Sequence, residues 1–346
     1  AGRAAGRRRG IPGGGGLAQD PALPLPGAHV ISEASPVPRI PPVVSCLCLV
    51  AAFACAREWR DPPPLDDAAH RTEIDTFREQ RRAELTGPTG WLALVALGAL
   101  PEGASAFGAD TSLPVRLPPG RGPALAGRLV RTGDRVWLEP AAGVRFLRLD
   151  SVAGNPPVAG PLDLRPDADS AGPTDLLLGP LRLRIHAVQG RAWLRVWDEE
   201  AAARRSFTGV PAFPVDRRWR LAARFERVRV PRHHRVADVI GGEMEFEVPG
   251  ELVFRVEGRE YRLLAFDEPS EHDLWVLFGD STNARTTYGA GRYIHLPLPD
   301  SAGWTVLDFN RAYNPPCAFN GFATCPLPPP ENRLALAVTA GETKPH

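Results

Sequence analysis

The stretch Leu181-Arg182-Leu183-Arg184-Ile185-His186 alternates apolar and basic residues one for one. Side chains repeat every second residue only in an extended strand, so this segment predicts a strand with one buried face. The same reading extends to Ala192–Trp197, Glu245–Val248, Glu251–Val256 and Arg259–Phe266. Leu274-Trp275-Val276-Leu277-Phe278 is apolar on both faces and predicts a central, doubly covered strand. Turn signals punctuate these runs at Thr132-Gly133-Asp134, Gly154-Asn155-Pro156, Gly241-Gly242 and Glu257-Gly258. Many short strands at such spacing predict an all-β fold, a β-sandwich or barrel, with the chain in two packed β subdomains at 88–190 and 191–346.

Composition agrees. With 34 glycines and 38 prolines among 346 residues, long helical bundles and coiled coils are excluded. One amphipathic helix is predicted over 65–87: Asp66 and Asp67 offer an N-cap, Ile74, Phe77 and Leu85 share a face, and Thr86-Gly87-Pro88 ends it. The formal charge is only +1, which argues against nucleic acid as a partner. Lys344 is the sole lysine, so neither a P-loop nor a Schiff-base lysine lies in the body of the chain.

Residues 1–38 are rich in Gly, Pro and Ala without structural periodicity and are expected to be disordered or spurious. The chain opens on Ala and its one methionine is Met244, so a fragment or a processed or mis-started reading is expected. Residues 43–56 (VVSCLCLVAAFACA) are nearly all apolar. As a helix they would rise roughly 21 Å, short of the ~30 Å hydrocarbon core, and they fit the core of a signal segment (39–55) flanked by Arg39. Ala52-Phe53-Ala54-Cys55 resembles a bacterial lipoprotein box, which implies lipid on Cys55, with 56–64 as a Pro-rich tether. The expected location is the bacterial cell envelope, lipid-anchored or secreted. In an exported protein the even pair Cys317 and Cys325 is expected to form a disulfide.

The order of segments from Gly90 to His186, through Ala106–Asp110, Leu113–Pro118, Arg135–Leu138 and Leu176–Gly179, resembles a forkhead-associated-type sandwich. The resemblance extends to shape alone, because the arginine and Ser-x-x-His elements of phosphothreonine binding have no counterpart. Three later stretches are more distinctive: Phe207–Trp219 with Ala223-Arg224-Phe225, Phe278–Arg292 (FGDSTNARTTYGAGR) and Leu307–Arg333 (LDFNRAYNPPCAFNGFATCPLPPPENR). Together with Gly90-Trp91-Leu92 they resemble the bacterial and archaeal family called domain of unknown function 1684, over roughly Trp59 to the C-terminus. That resemblance implies no activity.

These stretches concentrate polar groups. Thr287, Tyr288, Arg292, Asp308, Asn310, Arg311, Tyr313 and Asn314 are the candidate ligand-binding residues, with Arg292 as a fork for a carboxylate or phosphate and Tyr313 and Phe319 as flat walls. They suit a small polar or anionic ligand or an envelope partner. The competing reading is that they pin a Pro-rich loop, Asn314–Pro330, that cannot pair as a ladder. For catalysis, the candidates are Asp280 with Asp308 as a carboxylate pair, or Cys317 as a nucleophile with His295 as base. G-x-S-x-G, H-E-x-x-H and G-x-G-x-x-G are absent, and no cofactor or metal is expected. His233-His234 read as a solvated basic turn. The chain is therefore expected to be a ligand-binding envelope protein, with a hydrolase or a purely structural module as alternatives.

Overall fold

A computed structural model describes residues 59–268 and 272–345. The apolar segment at 43–56, Cys55 and the expectations drawn for 1–58 lie outside the described residues. Among the described residues no helix is long and apolar enough to cross a membrane.

The chain enters through α1 (Asp67–Thr86), where the Asp66 carboxylate accepts from the Ala68 and Ala69 N–H groups at 2.9 Å. Ile74 and Leu85 are buried as the pattern predicts, but so are His70 and Arg81 on the same stripe. Two sheets follow. One joins β1 (Leu94–Ala99), β6 (Leu147–Arg148), β8 (Leu176–Leu178), β9 (Leu181–Val188) and β10 (Arg191–Asp198) in the order β1-β10-β9-β8-β6. The other joins β2 (Gly103–Gly108), β3 (Val115–Arg116), β4 (Gly127–Thr132), β5 (Arg135–Pro140) and β7 (Leu162–Leu164) in the order β3-β2-β4-β5-β7. Phe107, Leu129, Leu138, Phe146, Leu183, Ile185 and Leu194 fill one core between them. The boundary expected at 190 cuts a hairpin: β10 pairs with β9 over its whole length and with β1, so this sandwich runs through Asp198.

The second half is one six-stranded sheet in the order β15-β14-β13-β12-β11-β16, curled into a half-barrel. Its strands are β11 (Arg220–Ala237), β12 (Glu243–Val256), β13 (Arg259–Glu268), β14 (Asp273–Phe278), β15 (Arg292–Leu296) and β16 (Trp304–Asp308). The fold is all-β with one N-terminal helix of substance. The runs 245–248 and 251–256 form the single strand β12, and His233-His234 lie within β11 rather than in a turn. The prediction for 274–278 holds: β14 is central and buried on both faces. Leu274, Val276, Phe278, Ile294 and Leu296 face a core with Phe254 and Phe309, whereas Trp275, Leu277 and Tyr293 face the other way.

Asn332 joins β13 to β14 at the point where their direct pairing ends. Its Oδ1 accepts from the Leu264 N–H at 2.7 Å, and its Nδ2 donates to the carbonyls of Leu264 (3.0 Å) and Leu277 (2.7 Å), all buried. Replacing it leaves these backbone groups without partners. Asn332→Ala is expected to destabilise the fold by on the order of 3 kcal/mol in chemical denaturation. Asn332→Asp is expected to be worse, because a carboxylate brings no N–H to the two carbonyls.

Candidate functional site

Alternation along β14 and β15 separates two sets of residues. Arg292, Ile294 and Leu296 point into the closed core, and Tyr293 and His295 point to the opposite side. Arg292 is fully buried. Its guanidinium donates to Asp280 Oδ2 at 2.7 Å, to the Val338 carbonyl at 2.9 Å, and to the carbonyls of Ala340 and Glu342. Burial pushes it below its ordinary value, against the opposing pull of Asp280 and Glu342. The preceding Gly291 has φ +94°, and a Cβ there would meet Pro328 Cγ at 2.5 Å and the Phe278 carbonyl at 2.7 Å, so only glycine fits. Arg292 therefore ties the C-terminal segment to the sheet through both terminal amino groups, and its Nε, the one donor left without a partner, is sealed in the closed core.

Most of the other expected ligand residues are likewise engaged within the protein. Asp308 Oδ2 lies 2.6 Å from His70 Nε2, joining α1 to the end of β16. Asn310 exchanges two 2.9 Å hydrogen bonds with the Asp216 backbone. The Asn314 N–H donates to Glu342 at 2.6 Å, and its side chain donates to the Thr343 carbonyl at 2.7 Å. Thr287 is hydrogen-bonded to Thr282 at 2.7 Å, Tyr288 donates to the Cys317 carbonyl at 3.0 Å, and Arg311 lies over the Phe77 ring on the surface. Asp280 and Asp308 are each held by a different partner, Arg292 and His70, and form no carboxylate pair. The expected disulfide is corrected: Cys317 and Cys325 are both free thiols, with the Cys317 N–H donating to Cys325 Sγ at 3.2 Å. Hydrogen bonding from the Cys325 thiol lowers Cys317, and that same bond together with burial raises Cys325. Cys317 is thus paired with Cys325 rather than with His295.

Two of the expected residues do meet at an open site. His295 and Tyr313 line a cavity of about 380 Å³ together with Arg81, Trp91, His186, Arg195, Met244, Trp275, Tyr293, Pro316, Thr324, Cys325 and Pro326. The volume is in the range of small-molecule sites. One wall comes from the cavity-side face of β14 and β15. The opposite wall is the face of β9 and β10 that carries His186 and Arg195, the basic side of the alternation at 181–186. Arg195 lies over Trp91, with its guanidinium carbon 5.4 Å from the ring centre, and donates to Asp167 Oδ2 at 3.2 Å. His186 Nδ1 lies 2.7 Å from the same carboxylate oxygen and its ring stacks on Trp193. Burial alone would raise the Asp167 carboxyl, but His186, the Ala187 N–H and Arg195 outweigh it and hold it below its ordinary value. Arg81 reaches in from α1. It lies 4.7 Å from the Tyr313 ring centre and 5.8 Å from that of Phe319, and it donates to the Asn314 carbonyl at 2.9 Å.

Three buried donors at this cavity have no hydrogen-bond partner: Arg81 Nε, Arg195 Nε and Trp275 Nε1. Arg81 Nε is 3.6 Å from Glu342 Oε1, an ion-pair distance without a hydrogen bond. Among the described residues no cluster of three or more His, Cys, Asp or Glu is arranged to hold a metal ion. Arg81, Trp91, Asp167, His186 and Arg195 were not among the site residues expected from the sequence. The available signal was a buried helical stripe with an arginine in it (70, 74, 77, 81, 85) and the interleaving of Trp193, Arg195 and Trp197 on one strand face.

The model of a family described as protein of unknown function (DUF1684) matches residues 205–343. Within a solved structure, the uncharacterised protein from gene locus rrnAC0354 of Haloarcula marismortui, the chain is 35% identical over 40% of its own length and 78% of that protein, with a TM-score of 0.34. This chain belongs to the DUF1684 family. The family-model match starts at Arg205, not near Trp59, so the whole first sandwich lies outside it. The forkhead-associated likeness finds no support in these comparisons. No curated protein matches the chain.

The Arg292 site yields a direct expectation. Removing one partner of a buried ion pair leaves the other uncompensated, so Arg292→Ala is expected to cost about 3–5 kcal/mol in denaturant-unfolding measurements. Arg311→Ala, a surface change in the same family segment, is expected to cost less than about 0.5 kcal/mol.

Proposed function

We propose that this protein binds a small organic anion in the cavity between the two β halves. The observation that supports the reading is the set of unpartnered donors, Arg81 Nε, Arg195 Nε and Trp275 Nε1, around one cavity. Buried N–H groups without acceptors are costly, and an incoming carboxylate or phosphate brings acceptors without N–H groups of its own. Trp91, Trp275, Tyr293 and Tyr313 supply flat apolar surface beside the guanidiniums, which favours a ligand with an anionic end and an apolar body.

The proposal includes export and a lipid anchor on Cys55. It rests on the apolar run 43–56 and the Ala52-Phe53-Ala54-Cys55 box alone, since the free thiols at Cys317 and Cys325 withdraw the cysteine argument. The membrane is then a partner through the anchor, and nucleic acid is not a partner.

Titration calorimetry and thermal shift with benzoate, succinate and inorganic phosphate test the ligand class. At least one is expected to bind and raise the melting temperature, with affinity falling as salt rises. Arg195→Ala is expected to weaken that binding at least tenfold. Binding of none of the three, or binding indifferent to Arg195→Ala, overturns the reading. For the anchor, Cys55→Ser is expected to move the expressed protein from the membrane to the soluble fraction on cell fractionation.

A further inference from the structure

A line of hydrogen bonds runs along the β14–β15 wall of the cavity. Asp273 Oδ1 lies 3.0 Å from His295 Nδ1, and His295 Nε2 lies 2.9 Å from the Tyr313 hydroxyl. An ionised carboxylate only accepts, so the His295 proton sits on Nδ1 and the Nε2 lone pair is left for the phenol O–H. The imidazole is held flat between neighbours, 6° from the Tyr313 ring plane and 20° from that of Trp275. Tyr313 is itself fixed by the backbone: its N–H and carbonyl exchange 2.9 Å hydrogen bonds with those of Tyr293 on β15.

The surroundings of the Tyr313 oxygen favour a transfer coupled to His295 over a free phenolate. Burial has the largest influence and pushes the phenol above its ordinary value, while the charge of Arg81 pulls it back. The proton therefore leaves only as His295 receives it. Carboxylate, imidazole and hydroxyl in series is the arrangement by which a weakly acidic hydroxyl becomes a nucleophile.

We infer that Tyr313 is the nucleophile of an acyl-transfer site, with His295 as general base and Asp273 orienting it. The inference rests on the cavity as the ligand site and names the ligand's class, an ester whose anionic end meets Arg81 and Arg195. In the first step the Tyr313 O–H bond breaks, its proton passes to His295 Nε2, and the phenol oxygen bonds to the carbonyl carbon. The bond from that carbon to the leaving group then breaks, and the leaving group takes the proton from His295. In the second step His295 takes a proton from water, the water oxygen displaces the phenol oxygen, and Tyr313 recovers its proton as the free acid departs.

The test uses 4-nitrophenyl acetate, a neutral ester that does not require the cationic anchors. It is run on the full chain carrying Cys317→Ser, which removes the more acidic of the paired thiols. Release of 4-nitrophenolate is expected, with the acetyl group on Tyr313 in peptides from acid-quenched samples. Tyr313→Phe keeps the ring in place and is expected to abolish both signals with an unchanged circular dichroism spectrum. His295→Gln is expected to slow release at least tenfold, and added imidazole is expected to restore part of the rate to His295→Gly. Release that survives Tyr313→Phe, acetyl found only on other residues, or a chain no more reactive than His295→Gly overturns the inference. Anion binding without acetylation removes the nucleophile and leaves the binding site. Acetylation without anion binding removes the ligand class and leaves the nucleophile.

Discussion

The fully buried Arg292 guanidinium is the constraint on which the cavity depends. A charge in a closed core needs acceptors, and the two terminal amino groups of Arg292 find them in Asp280 and in three carbonyls of the segment 338–342. Such a pair adds less net stability than apolar packing of equal volume would, but it permits very few geometries. Fixing Arg292 inward fixes its strand neighbours outward. With Arg292, Ile294 and Leu296 in the core, Tyr293 and His295 face the cavity, and a register slip of one residue would exchange the two sets.

The C-terminal segment is gripped from the other side as well. Glu342 Oε2 accepts from the Asn314 N–H at 2.6 Å, and Glu342 Oε1 lies 3.6 Å from Arg81 Nε. Burial raises the Glu342 carboxyl, against the pull of Arg81, the Asn314 N–H and Arg292. Arg81 in turn lies over Tyr313 and donates to the Asn314 carbonyl. The helix, the tail and the loop that carries Tyr313 thus share one set of charges. His70 on the same helical stripe reaches Asp308 at the end of β16, so α1 is docked through polar contacts at two levels as well as through Ile74 and Leu85.

How far the sequence spoke depended on the range of the interaction. Strand readings rest on neighbours two residues apart, and those at 181–186 and 274–278 located real strands, the latter with its double burial. The helix was legible for the same reason, from its cap and its period. The site was legible only in part, because its partners are remote: His70 meets Asp308 from 238 positions away and Arg81 meets Asn314 from 233. Arg292 has the side chain expected of an anion fork, and nothing local reveals that four internal acceptors surround it. The alternation at 181–186 correctly gave one buried face. What it could not give was that the basic face, through His186, also lines a cavity rather than meeting bulk water alone.

The family match divides the cavity in an informative way. Residues 205–343 include Trp275, Tyr293, His295, Tyr313 and Cys325, and Asp273 with them. Arg81, Trp91, His186 and Arg195 lie outside that span. On the proposed reading, the hydrogen-bonded series from carboxylate to phenol belongs to the half matched by the family, and the cationic anchors belong to the helix and first sandwich. The half-barrel alone would present Tyr313 and His295 on an open face, exposed to water and without a guanidinium to orient an anionic ester. The first sandwich closes that face with Arg195 and Trp91, and α1 adds Arg81 above the phenol ring. Selectivity and reactivity are then carried by different parts of one chain, and the same phenol beside a different covering wall would select a different ligand.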